Sequence, residues 1–276
     1  MPDLLIVGPP DESTRIEAIA AELGIRSKST IHPEAAAQWL KLRPFSLAAV
    51  HTAVPVVEQE RLATMLWTAR PVAPFIVFDL GSESYAAEQE SRLFGAELAL
   101  GAMALPFLSD RISSLVPLGA EFTGEFGVLV VEDLDSPRDI ICAYIERLGF
   151  PRVTGMGSAR AAMAELEQNP GRFQCIVTDI RMPELNGQQF IELVRGNPKL
   201  QHLPIIALTA WGTVDTLVEC LRAGASGFLV KPPRKPDLSR ELGRAFRIAQ
   251  RRGSPRLASH DEAETIRRIL LDRGLG

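Results

Sequence analysis

Short apolar runs alternate with longer amphipathic stretches from Phe126 onward. Uninterrupted, β-branched apolar runs are typical of strands buried on both faces, and the stretches between them have the apolar spacing of helices. The predicted strands are VLVV (128–131), 153–156, CIVTD (175–179), PIIALT (204–209) and GFLVK (227–231), and the predicted helices lie near 136–148, 158–168, 187–195, 213–223 and 237–251. Strands that are each followed by a helix predict a parallel sheet with right-handed crossovers, a doubly wound α/β domain.

Residues 1–115 repeat the same alternation. The run PFIVF matches PIIAL of the second half, and Gly95-Ala96 matches Gly224-Ala225, both just before the last predicted strand. The predicted strands lie at 4–7, 25–28, 47–50, 74–78 and near 98–105, and the predicted helices lie near 11–23, 34–42, 56–69 and 84–94. The repeat covers a whole fold. The fold class is therefore α/β, with two doubly wound five-stranded parallel-sheet domains in tandem.

The domain boundaries follow from this repeat and from turn residues. We assign residues 1–117 to a first domain, 118–125 to a linker that contains Pro and Gly, 126–252 to a second domain and 253–276 to a tail. Within the domains, Ser158 and Asp237 are predicted helix N-caps and Gly149 a helix C-cap.

The tail predicts one short amphipathic helix. Ser259 and Glu262 have the spacing of a capping box, and Gly274 is the predicted stop. Apolar positions on one face are Ala263, Ile266, Ile269 and Leu270. Because an isolated helix of this length is marginal in water, we expect it to dock on a domain or a partner.

Composition and charge narrow the choice of partners and compartment. The chain is 46% hydrophobic and 23% charged with a net charge of -4, so no overall attraction to nucleic acid or anionic membranes is expected. No apolar run approaches the roughly 20 residues of a membrane span. Arginines cluster in residues 240–256, where we expect a solvated helix face or a surface for an acidic protein rather than DNA binding. Three separated cysteines indicate reduced, buried thiols, and we expect a cytoplasmic protein with no membrane partner.

Chemically reactive side chains stand where the second domain's strands end. Glu132 and Asp133 follow the first strand, Asp179 ends the third, Thr209 the fourth and Lys231 the fifth. Because the carboxyl ends of parallel strands form the ligand crevice of such sheets, these groups should meet. Three carboxylates need a hard cation, and Mg²⁺ is the expected one. A carboxylate nucleophile beside it can take a phosphoryl group whose oxygens Thr209 and Lys231 would bind.

VLVVED, CIVTDIRMPELNG, PIIALTA and GASGFLVKPP, in this order and at these separations, resemble the motifs of response-regulator receiver domains, the CheY-like phosphoacceptors of two-component signalling. The resemblance implies that Asp179 is the phosphoacceptor. It also implies a magnesium site of Glu132, Asp133, Asp179 and the backbone carbonyl of Arg181. Glu132 stands where the family more often has aspartate.

The resemblance also implies a switch. Thr209 would bind the phosphoryl group, Lys231 would be its ion-pair partner and Phe228 would follow Thr209 as the switch residue. Lys231-Pro232 fits the family's often cis peptide bond. Arg181 and Trp211 stand where the family tunes water access, so a bulky Trp211 is hypothesised to slow hydrolysis.

The first half lacks these groups. Aligning the halves puts Gly8 and Pro9 opposite the acidic pair, His51 opposite Asp179, Asp79 near Thr209 and Leu105 opposite Lys231. We therefore predict a degenerate receiver, a pseudoreceiver, that binds no magnesium and takes no phosphoryl group. The sequence places no carboxylate cluster beside His51, so we interpret it as a polar cap rather than a metal or phosphohistidine site.

The leading hypothesis is a response regulator without an output domain, phosphorylated on Asp179 by a histidine kinase or phosphotransfer protein and acting through a protein partner or a homodimer. A phosphorelay intermediate or phosphate sink is a variant of it. The alternative of another class is a constitutive adaptor or scaffold that uses both folds as docking surfaces. A magnesium-dependent phosphatase is a third. We expect no separate effector enzyme, only self-catalysed chemistry at Asp179.

Overall fold

A computed structural model describes residues 3–115, 125–210, 214–250, 255 and 257–272. The chain divides into two compact units, Met1–Glu121 and Phe122–Gly276. The predicted linker, apart from Glu125, lies outside the described residues, as do Trp211 and Gly274.

The first unit alternates strands and helices around a parallel sheet. Its elements are β1 (Asp3–Val7), α1 (Pro10–Glu22), β2 (Arg26–Thr30), α2 (Pro33–Leu42), β3 (Leu47–His51), α3 (Val56–Ala69), β4 (Phe75–Asp79), α4 (Glu88–Leu93), β5 (Glu97–Leu100) and α5 (Ala104–Ser113). The strand order is β2-β1-β3-β4-β5, and every pairing is parallel. Apolar side chains of both sheet faces are buried under the helices.

The second unit has the same alternation and an additional helix. Its elements are β6 (Gly127–Val131), α6 (Asp135–Arg147), β7 (Arg152–Met156), α7 (Ala159–Gln168), β8 (Cys175–Asp179), α8 (Gly187–Gly196), β9 (Ile205–Ala210), α9 (Val214–Ala223), β10 (Gly227–Lys231), α10 (Lys235–Gln250) and α11 (His260–Asp272). The order is β10-β9-β8-β6-β7, again with parallel pairings. Both sheets therefore have the flavodoxin-like order, and the predicted tandem α/β fold is confirmed.

Two of the predicted caps are confirmed and one is wrong. The Ser158 hydroxyl accepts a hydrogen bond from the Ala161 backbone N–H at 3.2 Å, and Gly149 follows α6 with a φ of 95°. Asp237 does not cap α10, because that helix begins at Lys235. Its carboxylate lies in the first turn instead and pairs with neighbouring arginines.

The last strand of the first unit is shorter than predicted. The apolar stretch near 98–105 contains β5, a single 3₁₀ turn at Gly101–Met103 and then the start of α5. The prediction ran past the turn because the residues on both sides of Gly101 are apolar. This difference changes which residue stands at the end of β5.

The predicted tail helix is confirmed as α11. The Ser259 hydroxyl accepts from the Glu262 N–H, and the Glu262 carboxylate accepts from the Ser259 N–H, so the predicted capping box is present. The helix docks within its own unit, against α9. Among the helices of the described residues, none is long and apolar enough to cross a bilayer.

Candidate functional site

The second sheet brings the predicted reactive groups to one edge. Glu132 directly follows β6, Asp179 is the last residue of β8, and Lys231 is the last residue of β10. Thr209 lies one residue before the end of β9, opposite Val230 of the neighbouring strand. Because β6 and β8 are neighbours whose following helices diverge, this edge has the crevice that parallel sheets use for ligands.

The Lys231 ammonium lies between two carboxylates. Its Nζ is 2.9 Å from Asp179 Oδ2 and forms an ion pair and hydrogen bond with Glu132 Oε2. Glu132 is fully buried and Asp179 is 5% exposed. An ionised carboxylate is expensive to bury without a counter-charge. Lys231 therefore supplies the positive charge that holds these two acids together.

Three acidic side chains of the second unit form a cluster that could hold a metal ion. Atoms of Glu132, Asp133 and Asp179 that can bind metal lie within 4.8 Å of one another. Glu132 Oε1 is buried and has no hydrogen-bond partner. An oxygen that is desolvated and unpaired fits a metal ligand, and an all-oxygen set fits Mg²⁺. These residues therefore fit the predicted metal.

Burial sets the protonation of the deepest acid. Desolvation raises the pKa of Glu132, and the negative charge of Asp179 raises it further, while the hydrogen bond and charge of Lys231 oppose both effects. The net shift is upward. A divalent cation would favour the ionised form, so the pKa and metal affinity of this site are coupled.

Local contacts fix the carboxylate of Asp179. Its Oδ1 accepts a hydrogen bond from the Ile180 N–H at 2.7 Å. Helix α8 begins beside it at Gly187, whose N–H donates to the Ile180 carbonyl. A Cβ at Gly187 would lie 2.1 Å from the Asp179 carbonyl oxygen, so only glycine allows this approach. The glycine of the NG sequence is thus required for the close approach of α8 to Asp179.

The other predicted residues lie around this centre. Thr209 is 5% exposed, and Phe228 is partly buried against the core of the unit. Arg181 follows in the loop after β8 with an exposed side chain. The Lys231-Pro232 peptide bond is cis, as predicted. The hypothesis on Trp211 falls outside the described residues.

Sequence reasoning missed Arg138 on α6. Its Nη1 donates to the Glu132 carbonyl at 3.0 Å, and its Nη2 pairs with Asp135. The spacing of Asp135 and Arg138, three residues apart on a helix, was the available signal. The contact ties the start of α6 to the residue that carries the deepest carboxylate.

The equivalent edge of the first unit has other chemistry. Gly8 follows β1, His51 ends β3 and Asp79 ends β4, as the alignment of the halves predicted. The placement of Leu105 opposite Lys231 is wrong. Leu100 pairs with Asp79 as Val230 pairs with Thr209, so Gly101 stands at the position of the lysine.

The expectation that no carboxylates surround His51 is also wrong. Glu12 of α1 and Asp79 lie beside the ring, with Nε2 3.4 Å from Glu12 Oε1 and 3.9 Å from Asp79 Oδ2. All three offer ligand atoms within 4.8 Å of one another. Glu12 was missed because its carboxylate comes from the first turn of a helix rather than from a strand end. The signal was an acid in the helical turn that faces this edge.

Hydrogen bonds argue against a metal at this cluster. His51 Nδ1 accepts from the Ala53 N–H at 3.0 Å, so the proton of the neutral ring is on Nε2. Metal-bound histidines carry the opposite arrangement, in which the second nitrogen donates. Glu12 Oε2 is taken by the Leu80 N–H at 2.8 Å. The cluster therefore holds the loop after β4 rather than an ion.

Asp79 is the centre of that loop. Burial alone would raise its pKa, but hydrogen bonds from the Thr52 hydroxyl and the backbone N–H groups of Gly81 and Ser82 outweigh burial and lower the pKa. The Thr52 hydroxyl lies 2.6 Å from Asp79 Oδ2. The position that holds Thr209 in the second unit is here an anionic loop cap.

Comparison with known proteins gives the second unit strong relatives. The family model described as the response regulator receiver domain matches residues 128–242. Chemotaxis protein CheY of Pseudomonas aeruginosa is 31% identical over 119 residues, which cover 43% of this chain and 94% of that protein. Two-component response regulator ORR11 of Oryza sativa is 33% identical over 119 residues, with coverage of 43% and 80%. A solved structure described as a two-component system response regulator/GGDEF domain protein aligns with 91% of this chain and all of that chain, at 20% identity and a TM-score of 0.45.

Proposed function

The chain belongs to the response regulator receiver family, with two receiver folds in tandem and a role in two-component signalling, and on that premise we propose that its second unit is a switch phosphorylated on Asp179. One observation carries the proposal: Lys231 and the buried Glu132 converge on the carboxylate of Asp179 at the ligand edge of the sheet. Groups of this kind around one carboxylate support nucleophilic attack on phosphorus and charge stabilisation of the product.

The transfer uses Asp179 as nucleophile. A carboxylate oxygen attacks the phosphorus of a phosphohistidine, a bond from that oxygen to phosphorus forms, and the phosphorus–nitrogen bond breaks. The imidazole keeps the electron pair of the broken bond and takes a proton from solvent. Lys231 then pairs with the phosphoryl oxygens that replace the free carboxylate, and the Thr209 hydroxyl hydrogen-bonds to one of them.

Three carboxylates and one backbone group of the second unit would hold Mg²⁺. Glu132, Asp133 and Asp179 supply carboxylate oxygens, and Arg181 supplies its backbone carbonyl. Bound there, the ion would offset the charge of the carboxylates and of the incoming phosphoryl group. The unpaired Glu132 Oε1 supports this assignment.

The readout proposed here is a change of protein contacts. Thr209 moves towards the phosphoryl group, and Phe228 fills the space that the threonine leaves. Both flank α9 in the chain, so the surface around α9 changes with them. The donor is a histidine kinase or a histidine phosphotransfer protein, and the receiver of the signal is a protein partner or a second copy of the chain.

The first unit is proposed to be a pseudoreceiver. His51 stands where the second unit has Asp179, and Gly101 stands where it has Lys231. A fixed hydrogen-bond network replaces the metal site. The first unit would then serve as a docking surface whose shape does not depend on phosphorylation.

We also propose a cytoplasmic location and no separate enzyme activity for the chain. The free thiols of Cys142, Cys175 and Cys220 support a reducing compartment, which we take to be the cytoplasm. The only chemistry proposed is self-catalysed transfer to Asp179 and its hydrolysis, so the chain is not assigned a separate enzyme activity.

Phosphorylation and association can be tested together on the full chain. Wild type and Asp179→Asn are incubated with Mg²⁺ and acetyl phosphate and followed by intact mass and size analysis. We expect one phosphoryl group on wild type, none on the variant, and a change of association only in wild type. Modification of both proteins would show that phosphate goes elsewhere.

The constitutive adaptor is the second candidate, because the first unit has a docking fold without the acceptor chemistry. Under that function, partner binding is the same for wild type and Asp179→Asn, with or without phosphodonor. A partner captured with wild type and acetyl phosphate but lost with the variant would exclude it.

A further inference from the structure

Helix α9 buries two different faces. Cys220 belongs to the core of the second unit. Val214, Leu217, Val218 and Leu221 are buried too, and their spacing of i, i+3, i+4 and i+7 forms one stripe. At 3.6 residues per turn the centre of this stripe lies roughly 110° around the helix from Cys220. The stripe therefore points away from the direction of Cys220 and needs a cover of its own.

Helix α11 supplies that cover. It lies against α9, with Ala263 fully buried and Ile266 9% exposed, three residues apart on the side of the predicted apolar face. Because α11 lies against α9, we assign the burial of these two residues and of the α9 stripe to the contact between the two helices. The tail is thus bound to the helix that separates Thr209 from Phe228.

Two ion pairs fix the direction of α11. Arg267 pairs with Asp215 near the start of α9, with Nε 2.7 Å from Oδ1, and Arg222 near the end of α9 pairs with Glu264. The later residue of α11 meets the earlier residue of α9, so the helices are antiparallel. Exposed ion pairs of this kind add little affinity, but they select orientation and partner.

The position of α9 connects this contact to the proposed switch. The helix begins at Val214, five residues after Thr209, and β10 follows it with Phe228. Phe228 packs against the core cluster that includes Cys220 of α9. Through this packing, a shift of Thr209 and Phe228 would reach the helix against which α11 lies.

We propose that α11 is an internal cover for the partner-binding face of α9, released when Asp179 is phosphorylated. The face then accepts an amphipathic helix of the same chemistry as α11, with small or apolar residues three apart, a carboxylate for Arg222 and an arginine for Asp215. This inference rests on the proposed function. It adds the surface that the switch exposes and the kind of partner that fits it.

Hydrogen exchange on the full chain tests the release. Exchange in residues 257–272 is measured with Mg²⁺, with and without acetyl phosphate, while intact mass reports the phosphoryl group. We expect exchange about tenfold faster or more on phosphorylation, because a free helix of this length frays in water. Asp179→Asn should show no change.

Charge-reversal variants test the contact between α11 and α9 in the unphosphorylated chain. Arg267→Glu should accelerate exchange of α11, and Asp215→Arg with Arg267→Glu should restore the slow exchange. Arg268→Glu, on an exposed side of the same helix, is the matched control. A labelled peptide of residues 257–272 should bind the Arg267→Glu chain roughly threefold more tightly than wild type, because the charge reversal weakens the contact of α11 with α9.

The outcomes separate this inference from the function on which it rests. A phosphorylated chain whose α11 exchanges at the unphosphorylated rate overturns the inference and leaves the proposed function intact. A chain that takes no phosphoryl group overturns both. Equal peptide binding to wild type and Arg267→Glu would also overturn the inference, because α11 would then not compete for this face of α9.

Discussion

Lys231 at the end of β10 reaches Asp179 at the end of β8, with Nζ 2.9 Å from Oδ2, across the intervening strand β9. The same ammonium pairs with Glu132 at the end of β6. One lysine thus joins three strands of the sheet through charge. In the proposed function, Lys231 pairs with the carboxylate before transfer and with the phosphoryl oxygens after it. Replacing Lys231 should therefore affect both the stability of the fold and phosphoryl transfer.

Replacing Lys231 should destabilise the metal-free protein. Lys231→Met leaves Glu132 and Asp179 close together without a counter-charge, and breaking such a buried pair costs about 3 kcal/mol of unfolding free energy. Urea unfolding in EDTA measures the loss. Mg²⁺ should recover part of it, because the cation replaces the missing charge.

The exposed Lys199 is the matched control for Lys231. Lys199→Met should unfold within about 0.5 kcal/mol of wild type. If Lys231→Met matched Lys199→Met in EDTA, the lysine would not be what holds the carboxylates together.

The raised pKa of Glu132 predicts a pH-dependent effect of Mg²⁺. Because its folded-state pKa is raised, the stability contributed by Glu132 is present below its ordinary value of 4.5 and is lost as pH rises through the folded pKa. Deprotonation is also what prepares the oxygen for a cation. Thermal melting should therefore show that stabilisation by Mg²⁺ grows from pH 4.5 to neutrality.

Glu132→Gln separates this titration from that of the other acids. In this variant, stabilisation by Mg²⁺ should increase much less with pH than in wild type, while the fold is kept. Stabilisation that grows equally in both proteins would assign the effect to Asp133 or Asp179 instead.

Gly187→Ala should disturb Asp179 by steric overlap alone. The new Cβ would meet the Asp179 carbonyl oxygen at 2.1 Å, so α8 or the end of β8 must move. We expect a loss of about 3 kcal/mol and slower phosphorylation, as for other overpacked sites. Gly171→Ala, which has no atom within 4 Å of the added Cβ, should leave both unchanged. Equal behaviour of the two variants would contradict the steric role.

The loop cap of the first unit should fail in acid. Asp79→Ala removes the acceptor of three hydrogen bonds, and we expect local opening to become easier by about 2 kcal/mol. The pKa of Asp79 is lowered, so this stability is present above 3.8 and is lost as pH falls through the folded pKa. Exchange at Gly81 and Ser82 measures it, with Glu22→Gln as an exposed control. A difference between wild type and Asp79→Ala that persists in acid would contradict the cap.

Much of the fold and the second unit's site could be predicted from local pattern. Apolar runs located most of the strands, with the polar β2 as an exception. The parallel topology then placed Asp179 and Lys231 at one edge without any knowledge of their contacts. The end of β5 was misplaced because Gly101 interrupts an apolar stretch without changing its polarity.

Contacts that depend on helix orientation were beyond the sequence. Glu12 reaches His51 from the first turn of a helix, and its direction is set by how α1 packs on the sheet. The apolar face of α11 could be predicted from the spacing of its apolar residues. The helix against which it packs could not, because several helices present an apolar stripe. Asp237 has an N-cap side chain, but α10 begins two residues earlier at Lys235, so the carboxylate lies in the first turn and pairs with Arg234 and Arg240.

The central claim is that Asp179 carries the phosphoryl group, and chemical mapping tests it most directly. The full chain is treated with Mg²⁺ and acetyl phosphate, reduced with borohydride, digested and sequenced by mass spectrometry. An aspartyl phosphate is reduced to homoserine, so the account predicts homoserine at position 179 in wild type and none in Asp179→Asn. Homoserine at another aspartate, or none in a chain that has gained phosphate, would contradict it.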